Sequence, residues 1–345
     1  MDEENKKVRV AISAGDPNGI GLEVILKTLS DPRISEICEP VLFASSSVFN
    51  YHKKSLNLNV NLQITKDLKR GFSKKPLLYN CIEGETKLSL GEASADAGNF
   101  AFESLKAACQ ALKDTHADVL LTAPINKDSI QSAEFQFPGH TEYLAHTFEA
   151  QHALMMLCGE HCKVALVTGH IPINEVASAI STEKILQKLT VANASLQQDF
   201  GIRKPKIAVL GLNPHAGDNG LLGKEEQEII APAIAQAKEK NILAYGPYPA
   251  DGFWANGQAK AFDLVLAMYH DQGLIPFKSL EFENGVNFTA GLPVVRCSPD
   301  HGTAFDIAGK NEASEESFRA ALFMAVDIYK KRNEQKALDK GKILS

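Results

Sequence analysis

The 345-residue sequence contains no apolar run approaching the ~20 residues of a membrane-spanning helix, so none is expected. Cysteine is scarce: six in all, at 38, 81, 109, 158, 162 and 297, with no C-x-x-C pair. That is too sparse for a small disulfide scaffold. Most of these residues lie in apolar helix or strand contexts, where a free thiol behaves as a small hydrophobe. Neither sign of charge is in large excess, with 36 Lys and Arg facing 42 Asp and Glu for a formal net charge of −6. An electrostatic grip on nucleic acid or anionic lipid is therefore not the expected business, although a local basic site for a small anion is compatible with this balance. The charged start, Met1 to Lys7, leads straight into a strand-like run without the apolar core of a signal peptide. Together with the cysteine usage, this points to a cytoplasmic protein with no nucleic-acid or membrane partner.

What the sequence does have is 44% hydrophobic and 23% charged residues, enough to bury a core, and a length that suggests two domains at ~150 residues each. Near-continuous apolar runs at Val8–Ser13, 41–44, Val119–Thr122, 164–168, 207–210 and 264–268 read as parallel strands buried on both faces. Helical periodicity separates them. Ile185, Leu189, Ala192, Leu196 and Phe200 mark a helix over 181–200, with Ser181 or Thr182 as its N-cap. Phe102, Leu105, Cys109 and Leu112 mark another over 99–112. Near the C-terminus, Ser314 can cap a helix whose face is Phe318, Leu322, Ala325 and Tyr329, with Glu315 and Glu316 favourable in its first turn. Residues 56–92, rich in Lys, Gly and polar side chains, read as a hairpin or surface loops. The alternation predicts an α/β protein with largely parallel sheets.

The informative pattern is what the apolar runs lead into. Three of them end at His170, His215 and His270, with enough chain between for a helix and a return to the sheet. In open α/β sheets the ligand crevice lies beyond the carboxyl ends of the strands. Any one of these histidines alone reads as an ordinary hydrogen-bonded loop residue; three in the same strand-end position read as ligands of a catalytic divalent metal.

Anion-binding groups gather in the same register. Pro138-Gly-His140-Thr141-Glu offers an imidazole and a hydroxyl after a tight turn, and Lys278 lies on the stretch opened by His270. Asn287 and Arg296 flank the apolar segment 288–295, the arginine reading as one that follows a strand. A phosphate or carboxylate can use both the arginine fork and the lysine point charge, whereas a lone Lys278 would be a solvated surface residue. Two glycine motifs fail their tests. Ala14-Gly-Asp-Pro-Asn-Gly-Ile-Gly21 has the spacing G-x-x-x-G-x-G rather than the dinucleotide G-x-G-x-x-G. Gly220-Leu-Leu-Gly-Lys-Glu225 lacks the first glycine of a phosphate loop and has Glu225 in place of its hydroxyl. Cys158-Gly-Glu-His161-Cys162 fits no common zinc spacing and reads as structural.

Seven segments, in order along residues 8 to 330, carry a resemblance. They are the glycine-rich Ala14 segment, Pro138-Gly-His-Thr-Glu, Gly211-Leu-Asn-Pro-His-Ala-Gly, Gly246-Pro-Tyr-Pro-Ala-Asp251, Ala267-Met-Tyr-His-Asp-Gln-Gly, Gly285-Val-Asn-Phe-Thr-Ala-Gly-Leu-Pro and Asp300-His-Gly-Thr-Ala. Together they resemble the 4-hydroxythreonine-4-phosphate dehydrogenase family of pyridoxal phosphate biosynthesis. The resemblance implies metal-dependent oxidation of 4-phosphooxy-L-threonine by NAD or NADP, followed by loss of CO2 to give 3-amino-2-oxopropyl phosphate. It implies a two-domain, non-Rossmann relative of the isocitrate and isopropylmalate dehydrogenases; the domains are expected at 1–128 plus 305–345 and at 129–304, with the active site in the cleft between them. A homodimer completing that site across its interface is implied too.

By the same resemblance, His170, His215 and His270 hold one zinc, cobalt or magnesium ion. His140, Thr141, Lys278, Asn287 and Arg296 contact the small phosphorylated substrate. Asp251, Asp271 and Lys278 are the catalytic candidates, with Lys278 as a possible proton acceptor and Asp271 orienting His270. The Asp300 segment is expected near the cofactor. The family also resembles enzymes of 4-phospho-D-threonate, 4-phospho-D-erythronate and aromatic dihydrodiols. Rival readings are a metal-dependent hydrolase or acyl-phosphate transferase, disfavoured by the lack of a Gly-x-Ser-x-Gly elbow, and a phosphate-binding regulatory module.

Overall fold

The apolar runs form strands whose Val, Ile and Leu side chains are buried on both faces. The computed structural model describes residues 7–68 and 75–343, with side chains to 338; the charged start read for targeting lies almost wholly outside the described residues. Two units are present, the first made of Met1–Ala150 and Leu292–Lys330, the second of Gln151–Gly291 and Lys331–Ser345.

In the first unit the strands are β1 (Val8–Ser13), β2 (Cys38–Ala44), β3 (Gln63–Thr65), β4 (Leu77–Asn80) and β5 (Val119–Thr122), joined by β12 (Val295–Pro299) from the returning chain. Their order is β3-β4-β2-β1-β5-β12, and every pair is parallel. Residues 56–92 thus hold no hairpin between β3 and β4. Ile64 sits beside Leu78 in parallel register, extending the edge of the sheet, and part of the connection (69–74) lies outside the described residues. The helix Ala95–Lys113 covers this sheet with Phe102, Leu105 and Cys109 buried, and Ser94 caps it by accepting from Ala97 N.

The second unit orders β11 (Val286–Ala290), β6 (Leu154–Cys158), β7 (Lys163–Leu166), β10 (Leu264–Ala267), β8 (Lys206–Leu210) and β9 (Leu243–Tyr248) side by side. β6 runs antiparallel to both its neighbours and the rest are parallel. Ser181, not Thr182, caps the helix Thr182–Gln198. Val164, Leu166, Val265 and Ala267 share one core with Leu274 and Phe277 of the helix His270–Leu280. That helix comes close to the sheet because Gly273 has no side chain: a Cβ there would stand 2.7 Å from Val164 Cγ1 and 2.9 Å from Leu166 Cδ2. The last helix, Glu316–Ile343, has Ser314 Oγ accepting from Glu316 N at 3.3 Å.

Two expectations differ from these observations. Segment 288–295 is not one strand: β11 ends at Ala290, Gly291 turns at φ 81°, and Arg296 falls inside β12 rather than after a strand. Similarly, the first unit extends to 150 instead of 128, resumes at 292 instead of 305 and ends at 330 instead of 345, the stretch 331–345 falling in the second unit. The reason is aromatic packing and pairing, since Tyr143 stacks against Phe102 and Phe135, and β12 pairs with β5. No described helix is long and apolar enough to cross a membrane.

Candidate active site

In the second unit, β7, β10 and β8 are parallel neighbours, so the chain leaving each one emerges at the same edge of the sheet. Those exits carry His170, His270 and His215. Between β7 and β10 the ladder continues past the strands, with Val167 N donating to Ala267 O (2.9 Å) and Thr168 N and Oγ1 both donating to Met268 O (3.1 and 2.7 Å). This continuation carries His170 and His270 together, and their ring centroids are 5.3 Å apart. His270 Nδ1 pairs with Asp271 Oδ1 at 2.8 Å, which fixes the ring and directs Nε2 away from that carboxylate.

His215 is handled differently. It opens a left-handed run in which His215, Ala216, Asp218 and Asn219 have φ of 53°, 51°, 42° and 53°. Such residues cost ~1–2 kcal/mol each, so the run needs an anchor. Buried Glu226 provides it, accepting from Leu212 N and Asn213 N at 2.7 Å through one oxygen and from Asn213 Nδ2 at 3.0 Å through the other. Among the described residues no three His, Cys, Asp or Glu side chains group closely enough to hold a metal. Thus His170 and His270 are brought together and His215 does not complete a group of three. The donor chemistry still suits a borderline-soft divalent ion: two adjacent imidazoles, one already oriented through its other nitrogen.

The remaining candidates of this unit lie around the same sheet. Lys278 is exposed in the last turn of the helix that His270 opens. Asp251 is exposed near the start of the helix Ala250–Ala255, which follows β9. Asn287 sits in β11 opposite Leu157, and its Oδ1 is buried with no hydrogen-bond partner among the described residues. Such an orphaned acceptor is a reason to look for a ligand donor.

The first unit holds a second cluster. Arg296 on β12 is 3% exposed and donates from Nε and Nη2 to Thr122 Oγ1 (3.2 and 2.7 Å). Burial pulls its guanidinium down to about 10, still charged at neutral pH. His140 begins the eight-residue helix His140–Thr147, with Thr141 beside it. Burial first, then the charges of Arg296 and Lys127, hold its imidazole well below the usual histidine range, and Nε2 is buried without a partner among the described residues. Two cations, a neutral imidazole and a hydroxyl therefore gather where an anion can be received.

The glycine-rich loop between β1 and the helix Gly21–Leu29 is not built for a phosphate. Asp16 N donates to Pro124 O, Asn18 N to Asp16 Oδ1, Gly19 N to Asp16 O and Ile20 N to Thr303 O. Four of its amides are thus consumed inside the protein. Gly15, at φ 68°, is required there because a Cβ would meet Pro124 O at 2.3 Å. Asp16 itself is buried, and desolvation raises its pKa. The structural reading of Cys158-Gly-Glu-His161-Cys162 agrees with its surroundings. Glu281 accepts from His161 N and Cys162 N across the β6–β7 turn, and burial pushes the Cys158 thiol up to about 12.

Sequence reasoning overlooked Thr122, Lys127 and Glu226. Thr122 and Lys127 carry the same strand-end signal as the histidines, since the run from Thr122 to Lys127 starts at the end of β5.

The profile of the pyridoxal phosphate biosynthetic protein PdxA family matches residues 36–325. A 4-hydroxythreonine-4-phosphate dehydrogenase of Bacteroides thetaiotaomicron is 50% identical over 335 residues, covering 97% of this chain and 92% of that protein. A protein of Oceanobacillus iheyensis, provisionally named a D-threonate 4-phosphate dehydrogenase, is 39% identical over 332 residues, covering 94% and 98%. Among solved structures, the 4-hydroxythreonine-4-phosphate dehydrogenase of Klebsiella pneumoniae superposes with a TM-score of 0.81 at 35% identity, covering 95% of this chain and 99% of that one. With relatives this similar over nearly its whole length, the chain belongs to the PdxA family, whose close curated members are dehydrogenases.

Proposed function

We propose that this protein oxidises 4-phosphooxy-L-threonine with NAD or NADP, in pyridoxal phosphate biosynthesis, and that the product decarboxylates to 3-amino-2-oxopropyl phosphate. The observation that carries the reading is the His170–His270 pair at adjacent strand ends, one imidazole already oriented by Asp271. His170 and His270, with His215 as the third expected ligand, would hold a zinc, cobalt or magnesium ion. When bound, that ion supplies Lewis-acid stabilisation of negative charge on the reacting oxygen and on the carbonyl that decarboxylation requires.

The chain's own groups do the rest. Arg296, Lys127, His140 and Thr141 form a donor set for one anionic end of the substrate, and the neutral state of His140 lets it donate or accept without adding charge. Asn287 Oδ1, buried and without a partner among the described residues, can accept from a substrate amine or hydroxyl. Lys278, exposed on its helix, acts as an anion contact rather than as a proton acceptor, which burial would be needed to make it, and Asp251 as a further polar contact. Fixing these groups on strands and helix starts removes orientational entropy from the barrier. The internal use of the glycine-rich loop's amides supports a cofactor mode near Asp300–Ala304 that does without that loop. Exposed Ile173, Leu221, Ile275 and Phe282, at 71%, 79%, 64% and 85%, lie in sequence beside the histidines or their helix and support cover by a second copy of the chain. The cytoplasm is the setting in which this chemistry is proposed to run.

The test is formation of reduced cofactor with 4-phosphooxy-L-threonine, 4-phospho-D-threonate and 4-phospho-D-erythronate in parallel, with and without EDTA. Preference for the L-threonine compound, lost on chelation and restored by metal, is the expected result; turnover that ignores EDTA removes the metal from the reading. Preference for D-threonate phosphate would favour the second reading, which the Oceanobacillus relative's name suggests.

A further inference from the structure

The β8–β10 register pairs Leu264 with Ile207, Val265 with Ala208 and Leu266 with Val209, and there it stops. Two residues further the same register would set Met268 beside Gly211. Instead the side chain of Gln272 stands between them: Oε1 accepts from Met268 N and Nε2 donates to Gly211 O, both at 2.7 Å. On the other side of β10 no such insertion occurs, and the β7–β10 ladder runs on through Thr168. The two sides of one strand therefore end differently, and the difference coincides with which histidines meet. His170 and His270 are on the side where the ladder continues; His215 is on the side where a carboxamide interrupts it.

We infer that Gln272 is a positioning residue: a carboxamide wedge that holds the carboxyl ends of β8 and β10 apart and thereby sets the distance between His215 and the His170–His270 pair. Three features make the wedge rigid. Met268 and Gly211 are buried, so water is no ready substitute for either bond. Gly273 lets the helix that carries Gln272 lie close against the sheet. Gly211 N is tied to Tyr248 O at 2.8 Å and the next two amides to Glu226, leaving the β8 exit little freedom to follow β10. Only a side chain with a donor and an acceptor at this reach replaces a ladder rung on both strands at once; glutamine is the one neutral residue with that geometry. The consequence for metal binding and turnover rests on the proposed function, whereas the wedge itself does not.

The experiment compares Q272M, which keeps the length and loses both bonds, and Q272E, which keeps the acceptor alone, with wild type. S195A serves as a control, because it loses a buried bond to Asp199 elsewhere in the same unit. Crystal structures, melting temperature, Co2+ titration by visible absorbance, and kcat and KM are measured for each. Expected are a folded Q272M in which Met268 and Gly211 move into ladder contact, and a fall of roughly tenfold or more in Co2+ affinity and kcat/KM. Q272E should fall between wild type and Q272M, and S195A should keep both quantities within about twofold despite its lower melting temperature. An unchanged Met268–Gly211 spacing in Q272M overturns the inference, as does a loss in S195A equal to that in Q272M. Should Q272M fail to fold, Q272E carries the same comparison. A wild type inert toward every phosphorylated acid, beside a Q272M whose gap closes, would remove the proposed function and leave the wedge standing.

Discussion

Arg296 shows how a single side chain divides stability from function. Its guanidinium is drawn down to about 10 by burial, from an ordinary 12.5, so the fold disfavours the charged form by about 3 kcal/mol. Substitution by a neutral side chain of similar volume should relieve that. R296M is expected to melt no lower than wild type while the KM for the phosphorylated substrate rises roughly a hundredfold, measured by calorimetry and initial rates. His52 gives the opposite lesson. It is buried, and desolvation lowers its pKa to about 4 against 6.5 when unfolded. The fold therefore favours the neutral ring; its contribution is complete above pH 6.5 and is lost as pH falls toward 4, reaching about 2 kcal/mol of loss at pH 5. Urea unfolding at pH 7.5 and pH 5 should show that loss in wild type and not in H52Q.

At the scale of elements, the strands that were legible in the sequence are apolar runs buried along nearly their whole length. Val8–Ser13 and Val119–Thr122 were readable to the residue for that reason. β11 and β12 were not, because Asn287 and Arg296 sit inside them and the turn at Gly291 splits the apolar segment that read as one strand. The three histidines were legible as strand-end residues. Their unequal grouping was not, since a left-handed run has no sequence signature beyond small and polar residues, and Gln272 joins Met268, four residues away, to Gly211, 61 residues away. The same loop supplies a prediction. E226Q exchanges one acceptor oxygen for a donor and leaves at least one of the three N–H groups it serves without its partner. A destabilisation of about 1–3 kcal/mol is expected, with faster amide exchange confined to 211–223 and the rest of the second unit unchanged.

Across the whole molecule, the helix Glu316–Ile343 serves both units in turn. Its earlier part belongs to the first, where Tyr329 donates to Asp118 Oδ1 at 2.9 Å; its later part belongs to the second, where Arg332 meets Asp199 Oδ1 at 2.6 Å. The latter pair is buried on both sides, at 8% and 2% side-chain exposure, and Ser195 also donates to Asp199. Removing only the cation leaves a buried carboxylate, so R332M should cost about 3–5 kcal/mol in urea unfolding. D199N/R332M should regain much of it. Two-domain legibility was correspondingly partial: alternation and length indicated two units, but the returning strand β12 and the shared helix are long-range facts that no local pattern encodes.

The left-handed run that bears His215 has a consequence for chirality. Ala216 sits at φ 51° and ψ 44°, close to the mirror image of an ordinary helical residue. A D-alanine would occupy that conformation at rest, where the L-residue is held there by its neighbours. Semisynthetic protein carrying D-alanine at 216 should therefore unfold at higher urea concentration than the natural chain, an inversion of the usual penalty for a D-residue inside a folded protein.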